Sequence, residues 1–528
     1  MFLLIRIIIS AVLVAASYVP LPYFEYLAIV GLVLCGYSLV WEYIKSFFLK
    51  KFHGNSCSCH HHDSGLFSKI FDERLLMIVA SIGAIILGDF HEGALVMVLF
   101  VTGEALSERA EGKALKKISA LAALNPDFAR VGGQQVAPDE VEIGTIIEIL
   151  PGERVPLDCS VTKGSSALDT SALTGESEAR AAGVGDGLLA GMINLGSPLF
   201  AQVTATASDN AIQRIIKIVR DEQDKKTTTQ KFITKFARIY TPIVVGCALL
   251  MMLIGLVLGD TAEWGKRGLV FLTTACPCAL IISVPLTFVC ALGTLARKGV
   301  LVKGQAVLQD IAKLDVIAFD KTGTLTTGVV KDGVVFGEDI PANSIKDEVP
   351  YALAELKRLG IKKMAMVSGD KKEKCLAIGA ALPNLGEIYY ELLPENKSEV
   401  IAGLKRNAKS LAFIGDGIND APALAAAHVG ISIGDGTAAA IETSDAVLLG
   451  SSIGGVPAAI RAARRALRTV KFNIIFALAS KAAVLVLAMF GLAPLWLAVL
   501  ADSGVTLALC GVAYLSSATL SGADTYTK

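Results

Sequence analysis

Long apolar runs alternate with polar blocks along the chain, and the apolar runs have the composition of membrane-spanning helices. A spanning helix needs roughly 20 mostly apolar residues. Because short links join the runs two by two, the pattern predicts helical hairpins and about eight spans in all. The predicted spans are Met1–Val19, Tyr26–Val40, Leu75–Leu87, Gly93–Gly103, Thr241–Gly259, Leu269–Leu292, Lys471–Phe490 and Leu492–Leu515.

The first run, Met1–Val19, has a second interpretation, because its length also suits a secretory signal peptide. A second apolar run follows it at once, and no convincing small-residue cleavage site lies between the two. These features favour a membrane span.

Two polar blocks separate the paired runs. Residues 111–235 are rich in Val, Thr, Gly and Asp and contain short alternating runs such as Val141–Ile149, which predicts a small β-rich domain. Residues 304–455 alternate strands such as Val316–Phe319 with helices such as Pro350–Leu359, which predicts a parallel sheet covered by helices. The predicted order is four helices in 1–110, the β-rich domain in 111–235, a helix pair in 236–303, the α/β domain in 304–455 and a last helix pair in 456–528.

Basic residues set the orientation of the hairpins. Lys and Arg cluster in Lys45–Lys51, Arg109–Lys117 and Arg461–Lys471, which all lie on the same side. The positive-inside rule makes that side cytosolic, so both termini and both polar blocks are expected in the cytosol. The expected location is a bacterial plasma membrane, and the expected assembly is a monomer surrounded by lipid.

Composition agrees with this organisation. The 528 residues are 53% hydrophobic and only 19% charged, with a formal net charge of zero. Soluble proteins carry about 25% charged residues. The values exclude a disordered chain and give no support for a nucleic-acid partner. Ten cysteines over this length do not indicate a disulfide framework.

The polar α/β block carries candidate phosphoryl-transfer chemistry. Asp320 directly follows the predicted strand Val316–Phe319, and ligands of parallel sheets bind at the carboxyl ends of strands. The glycine and threonines of Asp320–Thr326 allow a tight turn whose N–H groups can cradle phosphate. Asp320 is therefore a candidate nucleophile that would form an aspartyl phosphate.

Two further strand ends support this interpretation. Asp416 follows the predicted strand Leu411–Ile414 and suits Mg²⁺, and Ser368 ends a third strand. Ser368 and the later Lys397 would complete a phosphate clamp. A single acidic turn is usually a solvated loop, but three such motifs in this order favour a phosphoryl site.

Three of these strings together resemble motifs of P-type ATPases. Asp320–Thr326 is similar to the family's phosphorylation signature, Gly415–Asp420 to its hinge motif and Thr174–Ser177 to the dephosphorylation loop of its actuator domain. The resemblance implies a membrane α-helical bundle with a cytosolic β-rich actuator domain and an α/β, haloacid-dehalogenase-like phosphorylation domain. The implied roles are Asp320 as nucleophile; Asp320, the Thr322 carbonyl and Asp416 as Mg²⁺ ligands; Ser368 and Lys397 as phosphate contacts; Glu176 as the residue that positions water; and Asn419 and Asp420 in the hinge.

A candidate metal site lies in the run Leu269–Leu292. Pro277 stands between Cys276 and Cys278 and breaks the helical hydrogen-bond ladder, which can turn both sulfurs inward. Transporters bind ions at such unwound positions. The alternative is a pair of buried apolar cysteines beside a kink.

Two charges inside predicted spans, Lys481 and Asp502, are costly there and indicate function. The alternative is a structural ion pair. Two thiolates and one carboxylate carry three negative charges, which a divalent ion and Lys481 balance, and mixed sulfur and oxygen ligands suit Zn²⁺ better than Cu⁺. Cys-Pro-Cys with this lysine and Asp502 resembles the zinc/cadmium/lead branch of the heavy-metal P-type ATPases.

Further metal-ligating groups lie outside that cluster. By the same resemblance, Glu104 lies on the cytosolic uptake path and Glu92 near the exit, although ordinary interfacial carboxylates would look the same. A cytosolic His/Cys loop favours a metal-collecting or sensing role over a merely solvated loop, although its spacing is not that of a closed zinc site. Its candidate ligands are His53, Cys57, Cys59, His60, His61 and His62.

The chain departs from the family most strongly between two of these motifs. Only about 45 residues separate the Asp320 and Ser368 motifs, and Gly328–Ser344, all that remains of the family's nucleotide-binding domain, is too short to build one. The His-Pro dipeptide and the glycine-rich adenine pocket are missing. An engineered deletion, a truncated gene and a natural minimal variant all remain open.

The motifs lead to one main hypothesis and two rivals. The main hypothesis is ATP-driven export of Zn²⁺, Cd²⁺ or Pb²⁺ through an aspartyl phosphate, with Mg²⁺ as cofactor. The missing adenine site favours a non-pumping, metal-binding membrane protein instead. The sheet motifs alone also fit a membrane-tethered phosphatase of the haloacid-dehalogenase type.

Overall fold

The computed structural model describes residues 2–17, 25–49, 73–119, 128–170, 179–210, 228–275, 277–327, 345–415, 420–434, 444–449 and 452–522. The chain divides into two compact units, a helical one and a mixed one. The helical unit comprises Met1–Lys113, Thr228–Thr287 and Thr469–Leu515; the mixed unit comprises Ala114–Thr227, Phe288–Arg468 and Ser516–Lys528.

Long apolar helices supply the helical unit, and some of them continue into the mixed unit. Their sequences are apolar around most of the circumference, as expected of helices that pack in a bundle or face lipid. In chain order they are α1 (Phe2–Ser17), α2 (Glu25–Leu49), α3 (Glu73–Ile86), α4 (Phe90–Ser119), α5 (Thr228–Leu258), α6 (Thr261–Thr274) and α7 (Cys278–Ala296), followed after the mixed unit's sheets by α13 (Gly455–Met489), α14 (Leu495–Val499) and α15 (Val505–Gly522).

Four stretches of the described residues are long and apolar enough to cross a membrane, whereas the sequence predicts about eight. The shorter apolar helices Ile5–Ser17, Tyr26–Tyr37 and Leu76–Ile86 do not reach that length, and α4 becomes charged in its second half. The count of eight is therefore not confirmed. The four candidate spans are Thr229–Leu258, Thr261–Ala296, Gly455–Met489 and Leu495–Ser517.

The predicted break at Pro277 is present. Helix α6 ends at Thr274 and α7 begins at Cys278, so the apolar run is two helices with an interruption between them. The run Leu492–Leu515 is also irregular, because Leu500–Gly504 forms a π-helical segment between α14 and α15. Such bulges occur often at functional positions.

Short antiparallel strands form the first part of the mixed unit. They make a six-stranded sheet of order β2-β1-β3-β9-β4-β7 and a three-stranded sheet of order β6-β5-β8. In β9, Leu199, Ala201 and Val203 alternate with exposed residues and fill the core. The strands are β1 (Ala129–Val131), β2 (Gln134–Val136), β3 (Ile146–Ile149), β4 (Cys159–Lys163), β5 (Ser166–Asp169), β6 (Arg180–Ala182), β7 (Gly187–Leu188), β8 (Ile193–Asn194) and β9 (Leu199–Val203).

A seven-stranded sheet with helices forms the second part, in the order β10-β16-β15-β14-β11-β12-β13. All its pairings are parallel except that of β10 with β16. The elements are β10 (Val300–Val302), α8 (Gly304–Ala312), β11 (Val316–Asp320), α9 (Val349–Arg358), β12 (Lys363–Val367), α10 (Lys372–Ala381), β13 (Glu387–Tyr389), α11 (Pro394–Arg406), β14 (Leu411–Gly415), α12 (Ala421–Ala426), β15 (Val429–Gly434) and β16 (Ala446–Leu449).

The order of this sheet brings the candidate motifs together. Strand β11 is central, with β12 on one side and β14 on the other, and every residue of β11 is buried. Parallel strands present their carboxyl ends at one edge. The segments that follow β11, β12 and β14 therefore meet at that edge.

Candidate functional site

Asp320 is the last residue of β11, and its carboxylate holds two charge-assisted hydrogen bonds. The Lys397 ammonium donates to Oδ1 at 2.7 Å, and the Thr322 N–H donates to Oδ2 at 2.9 Å. The residue is only 6% exposed. Lys397 lies in the first turn of α11 and also donates to Oδ1 of Asp420 at 2.8 Å. One partly buried cation thus joins two carboxylates at the edge of the sheet.

Burial and neighbouring charges shift the pKa values of Asp320 and Lys397. Burial raises the pKa of Asp320 to about 6, and the Asp420 carboxylate adds to the rise, while Lys397 and the Thr322 N–H oppose it. Burial alone would lower the pKa of Lys397, but the two carboxylates outweigh it and raise that pKa. At neutral pH Asp320 is an ionised nucleophile with its counter-charge in place.

The turn that follows Asp320 is rigidly bonded. Gly323 has φ of +73°, which favours glycine, and the N–H groups of Leu325 and Thr326 both donate to the Lys321 carbonyl. The Lys346 ammonium donates to the Gly323 carbonyl at 2.7 Å. The turn is thereby fixed from inside and from the segment that follows it.

Ser368 and Lys321 lie around the neighbouring strand end. Ser368 is buried at the end of β12, and its hydroxyl accepts from the Asp370 N–H at 3.2 Å. Lys321 is almost completely buried and forms an ion pair with Asp370. These groups place a second cation and a hydroxyl at the same sheet edge as Asp320.

Asp420 has a position that sequence reasoning missed. The resemblance assigns it to the hinge, which stays a prediction; in addition, its carboxylate pairs with Lys397 in the phosphoryl site. The Asp420 carboxylate packs closely against Gly415. A Cβ atom at position 415 would lie 2.5 Å from the carboxylate oxygen Oδ2, so this contact requires glycine. The signal available was an acidic residue just before α12, five positions after β14 ends.

The oxygen atoms around Asp320 suit Mg²⁺. This ion prefers carboxylate and carbonyl oxygens and keeps several waters. The Asp320 carboxylate and the Thr322 carbonyl belong to one described turn. The donor set therefore fits the ion, and its predicted third ligand, Asp416, lies outside the described residues.

Several predicted residues lie outside the part of the chain that the structure describes, and their roles stay predictions. The Cys278 backbone begins α7, but its side chain is not among those described. The residues outside the described ranges are Asp416, Asn419, Glu176, Cys276, His53, Cys57, Cys59, His60, His61 and His62.

In the helical unit, Lys481 of α13 meets Asp502 of the π-helical segment. The ammonium donates to Asp502 Oδ1 at 2.6 Å and lies 3.4 Å from the Thr274 carbonyl oxygen. Both side chains are buried. Asp502 Oδ2 is buried and has no hydrogen-bond partner among the described groups. One carboxylate oxygen thus remains available for a ligand.

Two neighbouring hydroxyls, missed by sequence reasoning, bind the carbonyls that precede the Cys-Pro-Cys break. Tyr240 donates to the Thr274 carbonyl at 3.0 Å, and Thr241 donates to the Ala275 carbonyl at 3.1 Å. Carbonyls at a helix end need such partners. A hydroxyl pair next to Pro242 in an apolar helix was the signal in the sequence.

The predicted path residues both lie on α4. Glu92 is in its first turn, and Glu104 lies near its middle; both are partly buried. Gly103, next to Glu104, packs against the π-helical segment, because a Cβ atom there would lie 2.6 Å from the Ser503 Cβ. The carboxylates thus share a helix, and one of them adjoins the close contact beside Asp502.

The chain is similar in sequence to two known protein families and to several metal-transporting ATPases. The sequence profile of the P-type ATPase actuator domain matches residues 124–220, and that of haloacid dehalogenase-like hydrolases matches residues 331–428. A cadmium, zinc and cobalt-transporting ATPase of Bacillus subtilis is 35% identical over 546 residues, covering 83% of this chain and 78% of the relative. A zinc-transporting ATPase of Synechocystis is 34% identical, covering 83% and 76%.

A solved structure supports the same family. The crystal structure of a zinc-transporting PIB-type ATPase in its E2.Pi state superposes with a TM-score of 0.54 at 29% identity, covering 97% of this chain and 98% of that one. The Bacillus subtilis alignment spans 546 residues, whereas 83% of 528 residues is only about 440. About a hundred residues of that relative therefore have no counterpart in this chain.

Proposed function

The chain belongs to the metal-transporting P-type ATPases, and from that premise we propose that it exports Zn²⁺, Cd²⁺ or Pb²⁺ from the cytosol through an aspartyl phosphate on Asp320. Two ion pairs support the proposal. Lys397 joins Asp320 and Asp420 in the phosphoryl site, and Lys481 joins Asp502 among the apolar helices. The second pair is the observation that carries the metal assignment. A buried ionic pair in an apolar bundle marks an ion path.

Phosphoryl transfer would proceed on Asp320 itself. Its ionised carboxylate is the nucleophile, and Lys397 compensates charge as the phosphoryl group arrives. The Thr322 N–H keeps the attacking carboxylate in one orientation. Mg²⁺, when bound by Asp320, Thr322 and Asp416, neutralises charge on the transferring group. Ser368 would contact that group, and Glu176 would position the water that hydrolyses the phosphoenzyme.

Metal transfer would use the pair in the bundle. A divalent ion held by Cys276, Cys278 and Asp502 competes with Lys481 for the carboxylate. The ammonium at 2.6 Å can hold Asp502 once the ion leaves, which would prevent its return. Glu104 would serve uptake and Glu92 exit, as the resemblance implies.

The remaining assignments complete the proposal. Eight membrane spans, a bacterial plasma membrane with cytosolic domains, and a monomeric pump fit the hydropathy and charge pattern. The hinge would include Asn419 and Asp420. The loop with His53, Cys57, Cys59 and His60–His62 would collect metal at the cytosolic face.

A specific observation favours a second candidate, a membrane protein that binds metal without pumping. About a hundred residues of the relative have no counterpart here, and the segment between the Asp320 and Ser368 motifs is short. The match to haloacid dehalogenase-like hydrolases is also consistent with a membrane-tethered phosphatase. Calorimetric titration with ATP and with Zn²⁺ separates the first alternative, which predicts metal binding alone.

Phosphate release from purified protein in proteoliposomes tests the main proposal. Zn²⁺ or Cd²⁺ should stimulate it several-fold, and Asp320→Asn should abolish the stimulated part. A metal-independent release of phosphate from small phosphoesters would support the phosphatase instead. Unchanged metal-stimulated release in Asp320→Asn would refute an aspartyl phosphate on this residue.

A further inference from the structure

The segment between Thr327 and Ile345 closes on itself at its base. Thr326 and Ile345 form an antiparallel bridge, and the Lys346 N–H donates to the Leu325 carbonyl at 3.1 Å. Only 17 residues, numbers 328–344, lie between these ends. The chain therefore leaves the α/β domain and re-enters it at one point, with too little sequence between for a separate domain.

Among the described residues, the charged groups of the phosphoryl site beside this closure are paired with one another. Lys397 is bonded to both Asp320 and Asp420, and the same Lys346 that follows the closure donates to Gly323 in the turn after Asp320. All these contacts come from the α/β domain itself. The site can bind and orient a phosphoryl group with no contribution from a base-binding domain.

Loss of that domain changes which donor is favoured. Binding energy from the remote base and ribose of a nucleotide orients its terminal phosphate, and removing remote contacts costs rate as well as affinity. Among the described residues, the groups around Asp320 would hold a nucleotide only through its phosphates. The size of a phosphoryl donor and the quality of its leaving group would then decide how readily it phosphorylates Asp320.

We propose that the phosphoryl donor of this site is a small acyl phosphate rather than a nucleotide. The inference rests on the proposed phosphorylation of Asp320 and names its substrate class. A compact donor needs no contact beyond the described cluster around Asp320, Lys397 and Thr322.

The step balances without a further reactant. An Asp320 carboxylate oxygen attacks phosphorus, a new P–O bond forms, and the P–O bond to the donor's acyl oxygen breaks. The electron pair leaves with that oxygen as a free carboxylate, which needs no proton. The bond formed and the bond broken are both mixed anhydrides of a carboxylic and a phosphoric acid. Lys397, which the two carboxylates keep protonated, is therefore not required as an acid.

Phosphoenzyme labelling of the full chain in lipid nanodiscs tests this with Mg²⁺ and Zn²⁺ present. Radiolabelled acetyl phosphate and γ-labelled ATP are compared over a range of concentrations after acid quench. We expect half-maximal labelling by acetyl phosphate at a concentration about tenfold or more below that for ATP, and no competition by ADP. Label must disappear in Asp320→Asn. Phenyl phosphate, a small monoester, should label at least about tenfold more slowly than acetyl phosphate, because its leaving group is poorer.

The contrary outcomes are distinct. Half-maximal labelling by ATP at the lower concentration, with competition by ADP, would overturn the donor assignment and leave the pump proposal standing. Equal labelling by phenyl phosphate would overturn the acyl class. If neither acetyl phosphate nor ATP labels Asp320 while Zn²⁺ binds, the donor assignment and the proposed function both fail.

Discussion

Lys481 on α13 donates to Asp502 in the π-helical segment at 2.6 Å, and neither residue is more than 2% exposed. Removing one partner of a buried pair leaves an uncompensated charge, which costs about 3–5 kcal/mol. The second carboxylate oxygen of Asp502 has no partner among the described groups. The ion pair therefore links α13 to the π-helical segment, and it leaves Oδ2 of Asp502 available as a metal ligand.

Breaking this pair should separate stability from transport. Asp502→Asn should lower the unfolding temperature and abolish metal-stimulated turnover. The double variant Lys481→Met with Asp502→Leu should recover stability, since apolar replacement of a buried pair is often neutral, but not turnover. Thermal unfolding in detergent and phosphate release measure the two effects. Transport by the double variant would contradict a ligand role for Asp502.

Phosphorylation of Asp320 should depend on pH. Because burial and Asp420 raise the Asp320 pKa to about 6, the ionised nucleophile is lost as pH falls through that value. The initial rate of phosphoenzyme formation should be flat above pH 7 and fall about tenfold per unit well below pH 6. Quenched labelling between pH 5 and 8 measures the profile.

Lys397→Met provides the matched test of the cause. The Lys397 ammonium lowers the pKa of Asp320 against burial, so its removal should move the midpoint of the profile to higher pH. A profile whose midpoint stays near 6 in this variant would show that another group titrates.

The hydroxyls of Tyr240 and Thr241 should support metal binding. Thr241→Val leaves the Ala275 carbonyl beside the Cys-Pro-Cys break without its donor, at a cost of about 1–3 kcal/mol. Tyr240→Phe leaves the Thr274 carbonyl with the longer contact to the Lys481 ammonium at 3.4 Å, so its cost should lie at the lower end of that range. Metal affinity should fall by about tenfold, and the absorption spectrum of bound Co²⁺ should change.

Two variants control for a general effect on α5. Thr241→Ser retains the hydroxyl and should restore affinity and spectrum. Thr234→Val removes a hydroxyl that donates to the Gln230 carbonyl within the same helix, and it should change neither. Equal losses in Thr234→Val and Thr241→Val would exclude a specific role at the break.

The close packing of α4 against the π-helical segment should require glycine at position 103. A Cβ atom at this position would lie 2.6 Å from the Ser503 Cβ, so Gly103→Ala should displace the segment that carries Asp502. We expect a lower unfolding temperature and severalfold weaker metal binding, partly restored by Ser503→Gly. Gly511→Ala is the control, because nothing lies within 4 Å of a Cβ atom there. Identical behaviour of the two alanine variants would refute the packing argument.

The sequence predicted the sheet well because β11, β12 and β14 are apolar runs that end abruptly in polar residues. The structure extends each of the predicted strands Val316–Phe319 and Leu411–Ile414 by a single residue. Helix lengths were harder, since hydropathy marks only the apolar part of a helix. Helix α13 therefore begins at Gly455, well before the predicted Lys471.

Contacts between elements were the least predictable. Tyr240 and Thr241 can donate to the carbonyls at the end of α6 only because α5 packs against that end. Neither segment alone carries a sequence pattern that predicts this packing. Asp420 was assigned by motif to the hinge, and its bond to Lys397 depends on how the segments after β14 and at the start of α11 meet.

If phosphorylation of Asp320 drives metal through the site of Asp502, transport must depend on both carboxylates. Uptake of radioactive Zn²⁺ into sealed inside-out proteoliposomes, supplied with Mg²⁺ and either ATP or acetyl phosphate, measures this dependence. We expect donor-dependent accumulation by the unmodified chain and none by Asp320→Asn or Asp502→Asn. Accumulation in Asp320→Asn equal to that of the unmodified chain, or none in any of the three, would contradict the proposal.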